Sequence, residues 1–166
     1  VFIFSCTSII YKHESDVDYS RYKTCYINTI QNNATSMIDP NHSDIYRVFV
    51  EQLEDKSGFE EIFNYKDHNI SVSDTTDCKI ELVLSEFHDE IYNESNDEVA
   101  YKVTVEMRCR LIDKDGKTIL NWFTEKGEKE DDDDSYFSID AEEVRIDAFE
   151  DVFNKITHRF LKDFEI

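Results

Sequence analysis

Apolar and polar side chains alternate strictly through residues 100–113, AYKVTVEMRCRLID. The apolar positions are Tyr101, Val103, Val105, Met107, Cys109 and Leu111, and the polar positions are Lys102, Thr104, Glu106, Arg108 and Arg110. Because successive side chains of a β-strand point to opposite faces, this period of two predicts a long strand with one buried and one wet face. The fold must therefore place a hydrophobic layer against the apolar side of this strand.

A hairpin is predicted immediately after this strand. Asp115 and Gly116 follow it, and Gly accepts the positive φ that tight turns between antiparallel strands require. An apolar pattern then resumes at Thr118, Ile119, Leu120, Trp122 and Phe123. We therefore expect a second strand that pairs back on the first.

Two further strands are expected upstream. Residues 79–92 carry an apolar pattern, and the polar residues 93–98 that follow have the length of a hairpin turn. Residues 21–30 are rich in the β-branched and aromatic residues that suit strands. The chain thus contains four predicted strands.

A first helix is predicted after residue 43. Ser43 can cap it, and Gly58 lies just beyond as a stop. Apolar residues recur at helical spacing at Ile45, Val48, Phe49 and Leu53. This spacing indicates an amphipathic helix with one face toward a core.

A second, longer helix is predicted at the C-terminal end. Asp140 and Glu143 have capping-box spacing, with Asp in place of the usual Ser or Thr. At 100° per residue, one stripe of roughly 120° contains Ile146, Phe149, Val152, Phe153, Ile156, Phe160 and Phe164. We expect this stripe to pack on the sheet, with a partner-binding surface as the alternative. Arg145 lies at the margin of the stripe and is expected to extend into solvent.

These elements predict an α+β fold with the order β-α-β-β-β-α. The sheet is expected to be four-stranded and mainly antiparallel, with both helices packed on one face. We expect residues 21–166 to form this single domain. Residues 1–20 are expected to hold a signal-peptide remnant, a lipidation site and a polar tether.

The net charge of −20 limits the partners of this chain. Such a surface repels phosphate backbones, so nucleic acid is not an expected partner. Only three Gly and one Pro occur, which leaves little room for a Gly-rich phosphate loop. The expected membrane contact is instead made through the N-terminal segment.

That N-terminal segment is VFIFSCTS. The residues before Cys6 resemble the end of a bacterial lipoprotein signal, in which small residues precede a cysteine that receives the lipid. Ile3 and Ser5 fit this pattern, whereas Phe4 does not. Thr7 replaces the Asp that favours inner-membrane retention in enteric bacteria, which favours the outer membrane. The alternative interpretation is a buried first strand with an ordinary core cysteine.

Three other cysteines follow, namely Cys25, Cys78 and Cys109. Their spacings match no zinc pattern. Cys109 falls on the apolar side of the predicted strand and is expected to be a small buried residue. A bridge between Cys25 and Cys78 is compatible with an oxidising envelope, but spacing alone does not decide it.

Candidate chemistry is sparse. The acidic run Glu128 to Asp134 lacks the alternating ligands and central Gly of an EF-hand, so we expect a solvated loop between the last strand and the long helix. No histidine pairing presets a metal site, and the histidines are expected at the surface: His13, His42, His68, His88 and His158. No G-x-S-x-G motif occurs, so no catalytic, metal or cofactor residue is assigned.

Two stretches carry a resemblance to known families. DVDYSRYKTCYI, residues 16–27, resembles the opening Asp-Phe-Ser-x-Tyr-Lys-Thr strand of a family of bacterial lipoproteins of unknown function. The matching positions are Asp18, Ser20, Tyr22, Lys23 and Thr24, with Tyr19 in place of Phe. The layout from the helix near Ile45 to the C-terminal helix is similar to LptE, a lipoprotein that plugs the lipopolysaccharide-assembly barrel. That resemblance implies a non-enzymatic assembly factor for the LptD barrel.

Together these features favour a non-enzymatic, lipid-anchored protein of the bacterial envelope that acts as an interaction or assembly module. The expected location is the outer membrane, with the domain in the periplasm or at the cell surface. The expected partner is another envelope protein, with an outer-membrane barrel as the specific candidate. A small envelope hydrolase and a Ca²⁺-binding protein that uses the acidic loop are the alternatives.

Overall fold

The computed structural model describes residues 22–65, 75–95, 98–133 and 139–164 of the 166-residue chain. The elements in these residues are β1 (Thr24–Ile27), β2 (Gln31–Asn32), α1 (Ser43–Lys56), β3 (Glu61–Asn64), β4 (Cys78–Ser95), β5 (Glu98–Asp113), β6 (Thr118–Asp133) and α2 (Ala141–Phe164). The α+β class agrees with the sequence prediction, and both predicted helices are present.

The sheet is mixed, with the strand order β3-β1-β4-β5-β6 and with β2 also paired to β4. β1 is parallel to β3 and to β4, and β2 is parallel to β4. The prediction of a mainly antiparallel four-stranded sheet is therefore only partly correct. It missed β2 and β3 because strands of two and four residues are too short to show a period. The parallel pairings arise because the chain returns to β3 through α1, a crossover connection.

The antiparallel hairpins are longer than predicted. β4 pairs with β5 from Cys78 opposite Asp113 to Ser95 opposite Glu98, so strand residues replace most of the turn predicted over 93–98. Gly116 has a φ of 79° in the β5–β6 turn, which confirms the predicted turn glycine.

β6 also corrects the prediction of an acidic loop. This strand continues to Asp133, and Glu128 to Asp133 pair with β5 along the way. The acidic run forms a strand because β5 offers backbone hydrogen-bonding partners over that whole length. This pairing outweighs the low β-propensity of acidic side chains. Asp134 lies outside the described residues.

The two helices run side by side in the same direction. Gln52 donates to Glu150 at 3.3 Å and Lys56 donates to Asn154 at 3.0 Å, a constant offset along both helices. Ser43 is the first residue of α1 and not its cap, because His42 holds the cap position without a side-chain hydrogen bond. Neither helix of the described chain is long and apolar enough to cross a membrane.

The start of α2 agrees with the predicted cap. The carboxylate of Asp140 accepts hydrogen bonds from the backbone amides of Glu142 and Glu143, at 3.1 and 3.2 Å. These bonds satisfy amides that have no partner inside the helix and place negative charge at its positive end.

The core lies between the helices and one face of the sheet. Fully buried stripe residues of α2 are Phe149, Val152, Phe153 and Ile156, and fully buried residues of β5 are Val103, Val105, Met107, Cys109 and Leu111. The ring of Phe153 lies 4.7 Å from that of Phe49 on α1. The stripe of α2 from Phe149 to Phe160 is therefore core, as predicted, and the alternative interpretation of these residues as an exposed binding surface is wrong.

Helix α2 also covers part of the free edge of β6. Asp151 accepts a hydrogen bond from the amide of Glu128 at 3.0 Å, and Lys155 donates to the carbonyl of Lys126 at 2.8 Å. These two helix side chains bond to each other as well, at 2.7 Å. They occupy backbone groups that an unpaired edge strand would otherwise offer to another chain.

Asp77 fastens β1 to the start of β4. Its Oδ2 accepts hydrogen bonds from the Lys23 amide, the Thr24 amide and the Thr24 hydroxyl, at 2.9, 3.0 and 3.0 Å. Burial opposes ionisation of Asp77, but these hydrogen bonds outweigh it, so the pKa of the carboxyl is lowered. Thr24, the last residue of the lipoprotein-like motif, thus has a structural role.

Candidate functional site

The helices cover one face of the sheet, and the opposite, outer face is the most distinctive surface of the described residues. On that face one group of neighbouring side chains combines aromatic, aliphatic and cationic groups. We call this group the outer patch; its members are Tyr26, Lys79, Arg108, Arg110, Ile112 and Trp122. Strand alternation places them there, because each strand neighbour of Arg108 and Arg110 is fully buried on the helix side.

Trp122 is the centre of the outer patch and is 36% exposed. The guanidinium carbons of Arg108 and Arg110 lie 5.1 and 4.8 Å from its ring centroid, within the range of cation–π attraction. Arg110 is also paired with Glu81. Arg108 is exposed, so an aromatic ring and a guanidinium are presented together to solvent.

A β-bulge gives Trp122 this position. Cys109 is opposite Phe123, whereas Leu111 is opposite Leu120, so β6 has two residues where β5 has only Arg110. Such an extra residue re-aims the side chains of the bulged strand. The apolar pattern of residues 118–123 predicts the strand but not the bulge, because a bulge depends on the partner strand.

The rest of the outer face has the opposite charge. Its carboxylates are Glu86, Glu90, Glu106, Glu128 and Glu130. We call this group the acidic half of the face. The ammonium of Lys102 lies 3.7 Å from both Glu128 and Glu130. The outer face is therefore divided into a cationic, aromatic part and an acidic part.

The acidic segment of β6 does not assemble a calcium site from its described side chains. Neighbouring residues of a strand point to opposite faces, so Glu128 and Glu130 lie on the outer face while Lys129 lies on the helix side. There Lys129 pairs with Asp147 at 2.9 Å. The ammonium of Lys102 lies where Glu128 and Glu130 approach each other, so a side-chain cation already occupies the position that a Ca²⁺ ion would need.

One cluster has the residue types of a metal site. Ligand atoms of His42, Asp44 and Glu142 lie within 4.8 Å of one another where α1 and α2 begin. Both helix N-termini carry partial positive charge, and Arg47 lies 3.7 Å from Asp44. These positive charges already compensate the two carboxylates, so we assign no metal to this cluster. Exposure of His42 and His88 agrees with the predicted surface histidines.

A polar cluster joins α2 to the hairpin formed by β4 and β5. Arg145 donates to Asp89 at 2.8 Å, and the hydroxyl of Tyr101 donates to the same carboxylate oxygen at 2.9 Å. Burial and the bond to Asp89 raise the pKa of Tyr101 to about 12. Arg145 was expected to extend into solvent; its side chain is 40% exposed, and its guanidinium also pairs with Asp89 of β4.

The described cysteines are poor candidates for catalysis. Cys25, Cys78 and Cys109 are all fully buried, so no solvent-borne substrate reaches their sulfur atoms. Burial raises the pKa of the Cys25 and Cys109 thiols well above the ordinary value, which keeps them protonated. The prediction of a buried Cys109 is confirmed.

A shallow groove of about 450 Å³ lies at the β3 edge, lined by Glu54 and residues 59–63. Its polar side chains are carboxylates, namely Glu54, Glu60 and Glu61, and no His, Lys, Ser or Cys accompanies them in the lining. The predicted lipidation residue Cys6 and the histidines His13 and His68 lie outside the described residues.

Comparison with known proteins gives a fold and no family. No protein-family model matches the chain, and no curated protein sequence is significantly similar to it. A neuraminyllactose-binding hemagglutinin homolog from Helicobacter pylori has a similar structure, with a TM-score of 0.52 and 8% identity over 87% of this chain and 84% of that one. The Xanthomonas campestris protein of the family DUF330 gives 0.50 and 12% identity, over 83% of this chain and 81% of that one.

A third solved structure is a minor lipoprotein from Acinetobacter baumannii, with a TM-score of 0.48 and 14% identity over 86% of this chain and 93% of that one. At these identities the Helicobacter pylori and Xanthomonas campestris structures show only a shared arrangement of helices and strands. The function of this chain must be argued from its own residues.

Proposed function

We propose that this chain is a non-enzymatic lipoprotein of the bacterial envelope that binds another protein through the outer patch. The single observation that carries the proposal is the exposed Trp122 between Arg108 and Arg110 on the face of the sheet opposite the helices. Trp and Arg are enriched among the residues that dominate binding energy in protein interfaces.

The charge of the patch indicates the chemistry of the partner. The protein carries a net charge of −20, yet Lys79, Arg108 and Arg110 gather on one part of one face. A protein surface with carboxylates around an apolar centre would complement the outer patch. If the same partner surface were placed over the acidic half of the face, its carboxylates would be repelled. The patch thus favours one docking orientation.

The hydrolase alternative has less support. A hydrolase of the serine or cysteine type needs a nucleophile, a base and an orienting group within hydrogen-bond reach of one another, beside a cavity for substrate. The three described cysteines are buried, and the groove at the β3 edge is lined by carboxylates and apolar side chains. The exposed side chains of Trp122 and Arg108 in the outer patch instead suit an interaction role.

The envelope location rests on the segment before Cys6, which resembles a lipoprotein signal. An outer-membrane barrel, as in the LptE-like layout, is the narrower form of the same proposal. The proposal of a barrel partner rests on the order of elements alone. The identity of the captured partner distinguishes it from the general proposal that the chain binds some other envelope protein.

Site-specific photo-crosslinking in native envelopes tests the proposal. A photoreactive residue at Thr124, exposed on the outer face beside Trp122, should give one discrete cross-linked protein. The same residue at His158, exposed on α2, is the matched control and should not give that product. Equal products from both positions, or none from Thr124, would contradict the assignment of the patch.

Charge reversal supplies an independent check. Arg108→Glu with Trp122→Ala should abolish the Thr124 cross-link. Lys102→Glu makes the same charge change within the acidic half and should leave the cross-link in place. If Lys102→Glu also abolished the cross-link, the loss would reflect a general charge repulsion between the two proteins and would contradict a local binding patch.

A further inference from the structure

Two of the buried cysteines are direct neighbours in the sheet. Cys25 of β1 and Cys78 of β4 are Cα partners in the parallel pairing of these strands. Both side chains are fully buried in the same core layer, and the two thiols are within hydrogen-bonding reach of each other. Sequence spacing left a bridge between these two cysteines undecided, because their pairing depends on how β1 and β4 align.

The backbone spacing suits a covalent bond. Adjacent strands lie about 4.8 Å apart, and disulfides join Cα atoms that are about 4.4 to 6.8 Å apart. Strand alternation turns both Cβ atoms toward the helix side, so the sulfur atoms face a common space. Both thiols are reduced in this structure.

We infer that Cys25 and Cys78 form a disulfide that joins β1 to β4 when the protein meets a dithiol–disulfide oxidoreductase or a small disulfide such as oxidised glutathione. The inference uses the envelope location of the proposed function only for the presence of such an oxidant. It does not depend on the outer patch.

The reaction balances as two thiol–disulfide exchanges. The thiolate of one cysteine attacks a sulfur of the oxidant disulfide, which forms a mixed disulfide and releases one thiolate. The second cysteine then attacks the mixed disulfide, which forms the Cys25–Cys78 bond and releases the second thiolate. Two S–H bonds are lost, two electrons pass to the oxidant disulfide, and the two protons end on the released thiolates.

Burial decides when this exchange occurs. Neither sulfur is accessible to an oxidant in the folded protein, and burial keeps the Cys25 thiol protonated. The bond therefore forms during folding or during local opening of β1, a four-residue strand close to the N-terminal end of the described chain. Once formed, the disulfide closes a loop that contains α1 and β3. It also keeps β1 in the sheet when a force acts on the N-terminal segment.

Thiol counting on purified protein tests the inference. The full chain with Cys6→Ala keeps three cysteines, and each should be alkylated in denaturant after reduction. After refolding in mixtures rich in oxidised glutathione, the alkylated thiols should fall from three to one. Peptide mapping without reductant should then show Cys25 joined to Cys78, with Cys109 alkylated.

Single variants supply the controls. Cys109→Ser should still form the bond, whereas Cys25→Ser and Cys78→Ser should not. The oxidised protein should unfold at a higher denaturant concentration than the reduced one, and this difference should vanish in Cys78→Ser. Three alkylated thiols after oxidation, or a cross-link that includes Cys109, would overturn the inference. Because purified protein is used, neither result bears on partner capture.

Discussion

Gly127 of β6 lies in direct contact with the backbone of α2 at Val152. A Cβ built on Gly127 would be 2.6 Å from the Val152 nitrogen and 2.8 Å from the Val152 Cβ, and it would meet the carbonyl oxygen of Ala148 as well. The nitrogen and the oxygen are helix backbone atoms and the position of Cβ is fixed by the backbone, so no side-chain rotation can relieve the contact. The absence of a side chain at Gly127 allows α2 to lie against β6.

Gly127→Ala should therefore destabilise the protein by about 1 to 3 kcal/mol, because α2 must move away from the sheet. Gly116→Asn is the matched control: open space surrounds Gly116, and Asn tolerates its positive φ. Denaturant unfolding of both variants beside the parent gives the two free energies of unfolding. A free energy of unfolding for Gly127→Ala equal to that of the parent would show that the close approach has no energetic consequence.

Phe153→Ala should cost about 3 to 5 kcal/mol through lost burial and an unfilled cavity. Phe153 is fully buried between Phe49 and Phe149, with ring centroids at 4.7 and 5.9 Å. Lys102→Ala is the control and should cost about 1 kcal/mol or less, since its ion pairs on the outer face are solvated. An unchanged denaturation midpoint for Phe153→Ala would contradict the core described above.

Asp77→Ala should cost on the order of 2 kcal/mol at neutral pH, because its hydrogen bonds fasten Lys23 and Thr24 to β4. The pKa of Asp77 is lowered in the folded protein, so its contribution is complete above the ordinary value of 3.8 and declines as pH falls through the lowered pKa. Unfolding at a series of pH values should show the difference from the parent shrinking only under acidic conditions.

Asp115→Ala serves as the control for that series, since Asp115 is an exposed carboxylate in the β5–β6 turn. It should leave stability nearly unchanged at every pH. A stability difference for Asp77→Ala that is the same in acid and at neutral pH would mean that ionisation of Asp77 is irrelevant to the fold.

Tyr101 should be among the last tyrosines to ionise, since its pKa is raised to about 12 by burial and by its bond to Asp89. Its contribution to stability is complete below the ordinary value of 10.0 and is lost as pH rises through about 12. Tyrosinate absorbance of the parent minus that of Tyr101→Phe should rise only near that pH. Asp89→Asn should move the rise to lower pH, and a parent difference centred near 10.0 would refute the assignment.

The lipid anchor at Cys6 is tested by partitioning between detergent and water. The full-length precursor, expressed in a bacterial host that lipidates signal-bearing proteins, should enter the detergent phase. Cys6→Ala should stay in water, because the acyl chains provide the apolar surface that favours detergent. Cys109→Ser, which changes a buried cysteine, should behave like the parent. Equal behaviour of parent and Cys6→Ala would eliminate the anchor.

Local periodicity in the sequence was sufficient for β5 and for α2. The alternation from Tyr101 to Leu111 and the apolar stripe from Phe149 to Phe160 both reappear as buried faces. They could be predicted because each pattern lies within one element and reflects the geometry of a strand or a helix. The turn at Gly116 and the cap at Asp140 were predictable for the same reason.

Tertiary structure alone determined the features that join distant parts of the chain. The parallel alignment of Cys25 with Cys78, the bonds from Thr24 to Asp77 and the contact of Gly127 with Val152 all depend on how separate elements align. The bulge that brings Trp122 to Arg108 and Arg110 likewise requires β5 as a reference. A one-dimensional pattern reports which face of an element is buried, but distances between elements arise only when the whole core packs.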